Sequence, residues 1–347
     1  MVRISRGAAL ALASALLFGA STPLAKRLVG ETHPVFLAGL LYLGSGTGLG
    51  LYRMLRKGEG RTISRPEMPW LAGAVLFGGV LAPVLLMTGL GSTPATAASL
   101  LLNLEGVFTA LLAWFVFHEN FDSRIALGMG LIIAGGLVLA WQPGGSFGVS
   151  AGALAVIAAC LCWAIDNNMT QKVSSADAMT IAATKGLVAG LVNVAVAVAI
   201  GAAAPPRLSA VLAALLVGFV GYGLSLALFV VALRDLGTAR TGAYFSVAPF
   251  LGVAVSLVLL HERVGARLVV AALLMIAGVW LHLTERHEHA HRHEALAHEH
   301  PHVHDAHHQH EHAAGTDLGE PHTHPHVHPP LTHSHPHYPD IHHRHRH

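Results

Sequence analysis

A carboxylate sits in a stretch otherwise suited to lipid. In LLLNLEGVFTALLAWFVF (residues 100–117), sixteen of eighteen side chains are apolar, small or hydroxyl-bearing, and the other two are Asn103 and Glu105. An ionised carboxylate at the centre of a bilayer costs at least ~2.5–3.5 kcal/mol on insertion scales, so Glu105 is expected to face protein or water. Three roles are open to it. It could pair with Lys185, which lies at a similar depth in IAATKGLVAGLVNV. It could bind a substrate or carry a coupling proton, since burial favours the neutral acid. It could serve only as a hydrogen-bonding group inside a helix interface. Asp166 and Asn167, in CWAIDNNM, bring polar groups to the inner third of another span. Lys26 closes the first span, where a long cation also suits the interface because its stem can snorkel. Glu105, Lys185, Asp166, Asn167, Asn103 and Lys26 are therefore the candidate pathway or coupling residues.

Imidazole is the second chemistry. Residues 284–347 hold 23 of the 27 histidines. The alternating runs His287, His289, His291, His293, then His298, His300, His302, His304, then His322, His324, His326, His328 could wrap several ligands round one ion. Imidazole suits Zn²⁺, Ni²⁺, Co²⁺ and Cu²⁺. The segment has too few large apolar residues for a core, so disorder is expected. A metal buffer, a sensor and a pH-responsive segment would share this composition. The rest of the chain gathers no comparable set of His, Cys and carboxylates, and it requires no cofactor.

These residues are carried by a hydrophobic chain. Of 347 residues, 53% are apolar and 12% charged, against roughly 45–50% and about 25% in soluble domains; the mean hydropathy is +0.55. A membrane helix needs about 20 mainly apolar residues. Ten such runs fall at about 7–27, 34–54, 69–90, 94–117, 123–141, 151–171, 178–201, 208–233, 239–260 and 264–283. The basic start of MVRISRGAALALASALLFGA resembles a secretory signal, but the spans that follow favour an uncleaved first helix. GSGTGLG (44–50) lacks the ending of a phosphate loop; its glycines are expected to let helices approach closely. Trp70, Trp141 and Trp280 fall near span ends, as interfacial belts require; Trp163 sits deeper, where lipid or core packing is the expected default and lining a cavity the alternative. Cys160 and Cys162, two apart on one helix, cannot bridge each other. No basic stripe suggests nucleic acid, and no nucleophile–base set suggests an enzyme.

The chain repeats itself. HENFDSRIALGMGLIIAGGLVL (118–139) and HERVGARLVVAALLMIAGVWLH (261–282) share seven of 22 positions at an offset of 143, and LLFGASTPLAKRLV matches CLCWAIDNNMTQKV at an offset of about 145. Two halves of five helices, an odd number, would enter the membrane from opposite sides, the inverted repeat of many secondary transporters. With the N-terminus inside, eleven Lys and Arg fall at inner span ends and five at outer ends. The positive-inside rule then places both termini in the cytoplasm.

On these residues the chain resembles the drug/metabolite transporter superfamily in its ten-helix EamA-type form. The resemblance spans residues 1–283. It rests on the polar breaks ending in Glu119 and Glu262, the IIAGG and MIAGV helices after them, the Pro-containing first helix with Lys26 near its end, and ALRDLGTARTGAYFSVAPFLGVAVSLVLLHE with Pro249 in mid-helix. Two departures stand out. The family usually has Gly before the Glu of each break, where this chain has His118 and His261. It usually has Pro in its fourth helix, where this chain has Gly106 after Glu105. Helix breaks are therefore expected at Gly106, Pro249 and Pro23, with Glu119 and Glu262 as loop and capping residues.

The expected fold is an all-α integral membrane protein of ten transmembrane helices, two inverted five-helix repeats (1–142 and 143–284), followed by a disordered His-rich tail (285–347). The resemblance implies a secondary transporter of the inner, cytoplasmic membrane that moves a small organic metabolite or drug, as an exporter, by alternating access on a proton or solute gradient. The alternatives are efflux of divalent Ni, Co or Zn ions and a membrane-anchored metal-binding module. Pairing with a second copy is left open.

Overall fold

A computed structural model describes residues 5–55, 63–117, 123–141, 150–174, 176–204, 206–283, 288–293, 296–302, 322–328 and 331–336. Up to residue 283 the described secondary structure is helical. The first half comprises α1 (Arg6–Val29), α2 (Pro34–Leu55), α3 (Met68–Ala74), a π-helical segment (Val75–Leu81), α4 (Ala82–Ser92), α5 (Ala95–Leu101), α6 (Asn103–Phe117) and α7 (Ser123–Ala140). The second comprises α8 (Ala151–Val173), α9 (Ala178–Ala199), α10 (Leu208–Val217), a second π-helical segment (Gly218–Leu224), α11 (Ser225–Phe245), α12 (Ala248–Leu260) and α13 (Ala266–Leu283). Among the described residues, seven helices are long and apolar enough to cross a membrane, and three apolar helices are shorter. The chain is a multi-pass membrane protein.

The two π segments begin at Val75 and Gly218, and so stand 143 residues apart, the offset of the sequence repeat. Packing follows the same repeat. Gly39 of α2 lies against Val194 of α9, and Gly46 against Leu187, so this pair runs antiparallel. Gly135 of α7 faces Ala271 of α13 while Gly278 faces Gly128, again antiparallel. The first helix of each half docks on the other half. On α1, Gly7 meets Leu236 and Ser14 exchanges hydrogen bonds with Ser225 of α11 at 2.7 and 3.0 Å. On α8, Gly73 of α3 meets Met169 and Gly89 of α4 meets Val156.

Small residues make this approach feasible, because lipid offers no hydrophobic force between helices and close van der Waals fit must hold them. A Cβ at Gly46 would lie 2.2 Å from the Leu187 amide nitrogen, and one at Gly44 2.1 Å from the Leu215 carbonyl oxygen. Gly50 has nothing within 4 Å, so only part of the GSGTGLG run serves packing.

The fourth helix of each half is interrupted, though not where expected. The first interruption is a tightened turn at Leu102, whose amide is shared between the Ala98 and Ser99 carbonyls, each at 3.2 Å, while Glu105 N–H reaches back to Leu102 at 3.1 Å. Three-residue spacing inside a helix frees a carbonyl, and the Cys160 thiol donates to that of Leu101 at 3.5 Å. Gly106 lies four residues on, inside α6. The second interruption falls at Ser246–Val247, and Pro249 enters the first turn of α12, where a missing N–H loses no bond. A Cβ at Gly106 would sit 3.7 Å from Ser246 Oγ, so the two interrupted regions face each other. Pro23 lies within an unbroken α1, correcting the expected break there.

In the tail, β1 (Glu288–His293) pairs antiparallel with β4 (Leu331–Pro336), and β2 (Leu296–His302) with β3 (His322–His328). Disorder was expected from the lack of a core; the alternating His-X pattern has the period of two that an extended strand repeats. The register sets His289 opposite His335, His291 opposite His333, and His298, His300 and His302 opposite His326, His324 and His322. Isolated two-stranded ladders are marginal in water, so this pairing is weakly held. His287 and His304 lie outside the described residues.

Candidate functional site

Glu105, Asp166, Asn167 and Lys185 line one cavity of about 480 Å³, measured to include its open mouth. The walls come from both halves: Phe18 of α1, Tyr42 of α2 and Glu105 of α6 from the first, and α8, α9, the second π segment and α11 from the second.

Lys185 does not pair with Glu105. Its Nζ donates to Asp166 Oδ1 at 2.5 Å and to Thr170 Oγ1 at 3.1 Å, and Thr170 itself donates to Asp166 at 2.8 Å. Asp166 and Lys185 sit on α8 and α9, consecutive helices that both pack on the first π segment. Only 1% of Lys185 and 6% of the Asp166 side chain are exposed. Glu105 instead accepts from the Asn167 amide at 2.8 Å, and Asn167 also reaches Thr109 Oγ1 at 3.4 Å. Among the described residues no Lys, Arg or His stands within ion-pair distance of Glu105. Of the three readings, the Lys185 bridge is thus replaced by an acid held by an amide and facing the cavity.

Local backbone explains the Asp166 niche. A Cβ at Gly78 would lie 1.8 Å from Asp166 Oδ2, so only glycine leaves room. The π segment also spaces its carbonyls for outside donors, as such bulges do: Gly78 accepts from Tyr42 Oη at 2.6 Å and Trp163 Nε1 at 3.1 Å, and Gly79 from Asn193 at 3.1 Å. The repeat reproduces this geometry without its charge. Gly221, 143 residues after Gly78, packs on Ser21. Tyr42 corresponds to Lys185 and Ala248 to Glu105 at the same offset.

The aromatic walls were missed in the sequence. Phe18 stands edge-on to Trp163 at 5.7 Å and to Tyr222 at 5.8 Å, and 5.4 Å from Phe245. Tyr42 lies 5.6 Å from Tyr222 and Phe229 5.0 Å from Phe245. The available signal was position: with aromatics only 6% of the chain, these sit in mid-span, not in interfacial belts. Trp163 meets both readings, buried in the core and lining the cavity, whereas Trp70, Trp141 and Trp280 are 40–60% exposed at span ends.

Two candidates lie elsewhere. Asn103 is buried, donates to Leu100 at 3.1 Å and approaches Met275 Sδ at 3.6 Å, while its Oδ1 lacks a partner. Lys26 donates to the carbonyls of Leu90 and Thr93 at the end of α4. Across that turn Glu262 accepts from Ala95 and Thr96 amides at 2.7 and 2.9 Å and from Thr96 Oγ1 at 2.7 Å. A cation at a helix C-terminus and an anion at an N-terminus each match the helix dipole, so both act as distant caps. Among the described residues no three His, Cys, Asp or Glu side chains group as metal ligands.

The EamA-like transporter family model matches residues 5–141 and again 150–284. An "uncharacterized transporter" of Methanothermobacter thermautotrophicus is 29% identical over 289 residues, covering 78% of this chain and 84% of that protein. A crystal structure of another protein, 20% identical, aligns with a TM-score of 0.62 over 80% of this chain and 96% of that one, a likeness of fold. With its two matches covering most of the sequence, the chain belongs to the EamA-like transporter family.

Proposed function

We propose that the protein is a secondary transporter of a small organic solute, working by alternating access between two inverted five-helix halves of a ten-helix body. The observation that carries the reading is Glu105, an acid with no cation partner among the described residues, on a cavity walled by both halves. Antiparallel packing of repeat-related helices, α2 on α9 and α7 on α13, supports the inversion. Interrupted helices at matching places, facing each other beside the cavity, suit transporter sites. Eleven basic residues at one set of span ends against five at the other support cytoplasmic termini in the inner membrane, and export is the direction proposed. Glu105 is the group proposed to couple a proton or solute gradient to movement, with Asp166, Lys185 and Asn167 fixing its surroundings.

The test is counterflow in proteoliposomes loaded with candidate labelled solutes, with and without a pH gradient. Wild type exchanges a solute and Glu105→Gln, with melting unchanged, loses gradient-driven accumulation. Undiminished accumulation by Glu105→Gln would sink the reading.

The tail is proposed to bind Zn, Ni, Co or Cu ions as an independent segment. The cross-strand register of histidines favours this, since it brings two alternating runs together.

A further inference from the structure

The cavity holds more specific information than its size. Six of its residues are aromatic: Phe18, Tyr42, Trp163, Tyr222, Phe229 and Phe245. Tyr42 Oη and Trp163 Nε1 both donate to Gly78. Those two polar ends are therefore spent on the protein; Tyr222 adds one buried hydroxyl without a hydrogen-bond partner among the described residues, and the rest of the aromatic lining offers ring surface. Lys185 donates to Asp166 and Thr170, so its charge is matched where it stands. Glu105 is matched only by a neutral amide.

A monocation placed here would balance the Glu105 carboxylate, and its alkyl or aryl body would lie on the rings. Ring faces carry the negative end of a quadrupole and attract cations, most of all where water is excluded. An anion would meet the same faces and the same acid unfavourably. A zwitterion would match Glu105 with its ammonium, but its carboxylate would find the one buried cation of the site already held by Asp166. A neutral solute would leave the acid unpaired.

Resting on the transport reading above, we propose that the site binds an organic monocation with a ring-sized apolar body, its positive centre set between Glu105 and the faces of the surrounding aromatic side chains.

The test uses the full chain in nanodiscs and four probes that share a phenyl ring: benzyltrimethylammonium, phenylalanine, phenylacetate and benzyl alcohol. Binding is read by calorimetry and by quenching of tryptophan fluorescence. The expected result is that benzyltrimethylammonium binds at least tenfold tighter than the other three. Glu105→Gln should remove that preference, Glu105→Asp should keep most of it, and Phe18→Leu should weaken the cation several-fold with little change for benzyl alcohol. Tighter binding of phenylalanine or phenylacetate, or a cation preference that survives in Glu105→Gln, overturns the proposal. Should Glu105→Gln fail to give folded protein, the probe ranking on wild type decides alone. Failure of the two readings is separable. Benzyltrimethylammonium that binds but is not exchanged across proteoliposomes counts against transport and for the cation site; exchange of another solute that the cation neither matches nor competes with counts the other way.

Discussion

Lys185 Nζ lies 2.5 Å from Asp166 Oδ1 inside the bundle, with 1% and 6% of the two side chains exposed. A buried pair of this kind stabilises little relative to an apolar replacement, because both ions lost their water. Its effect is on placement: it matches Lys185 to Asp166 and leaves Glu105 to the Asn167 amide, without a cation among the described residues.

Breaking the pair from one side should therefore be costly. Lys185→Met is expected to destabilise the protein by about 3–5 kcal/mol, the usual cost of an uncompensated buried charge. The double variant Asp166→Asn with Lys185→Met should lose much less than the sum of the two singles. Thermal unfolding in detergent measures this, and additivity of the two losses would show that the ions act separately.

Gly78 supplies the room for Asp166. Gly78→Ala would set a Cβ 1.8 Å from Oδ2 and should cost about 1–3 kcal/mol as overpacking. Gly130→Ala, with nothing within 4 Å, should be neutral or stabilise its helix by up to about 1 kcal/mol. Equal melting temperatures for the two variants would contradict the packing seen around the first π segment.

The junction after α12 combines a strained cap with a useful one. His261 has φ 52° and ψ 35°, the left-handed region in which glycine is at ease; this is where EamA-type chains usually carry Gly. His261→Gly is expected to be neutral or stabilising by up to about 1 kcal/mol, and His261→Val to cost about 1–2 kcal/mol. Glu262→Ala should cost about 0.5–2 kcal/mol, as lost N-caps do, because the Ala95 and Thr96 amides lose their acceptor. Melting curves of the three variants give the order.

Removal of residues 284–347 should leave solute counterflow unchanged and abolish Ni²⁺ or Zn²⁺ binding by the purified protein. Loss of counterflow on truncation, measured beside a folded wild-type control, would tie the tail to transport and favour metal efflux.

Much of the architecture was legible because it depends on local sums. Apolar runs, turn formers and a repeat at an offset of 143 mark the spans, and the transfer cost of a carboxylate required Glu105 to face something other than lipid. Residue counting also gave its depth. Even so, one expected break, Pro23, was absorbed by a helix that stayed whole.

What the chain by itself determined, then, is which residues fall in the middle of the apolar runs and which stretches repeat at an offset of 143. Only the tertiary structure decided which acid takes Lys185: depth counted along the sequence matched the lysine to Glu105 and set Asp166 in the inner third, yet packing brings Asp166 to the lysine and gives Glu105 to Asn167. The same holds for the aromatic walls, where Phe18, Tyr42 and Tyr222 come from three segments far apart in sequence. Depth accumulates residue by residue along one helix; azimuth and neighbour are fixed only when helices pack, and close packing through Gly39, Gly46 and Gly78 set both.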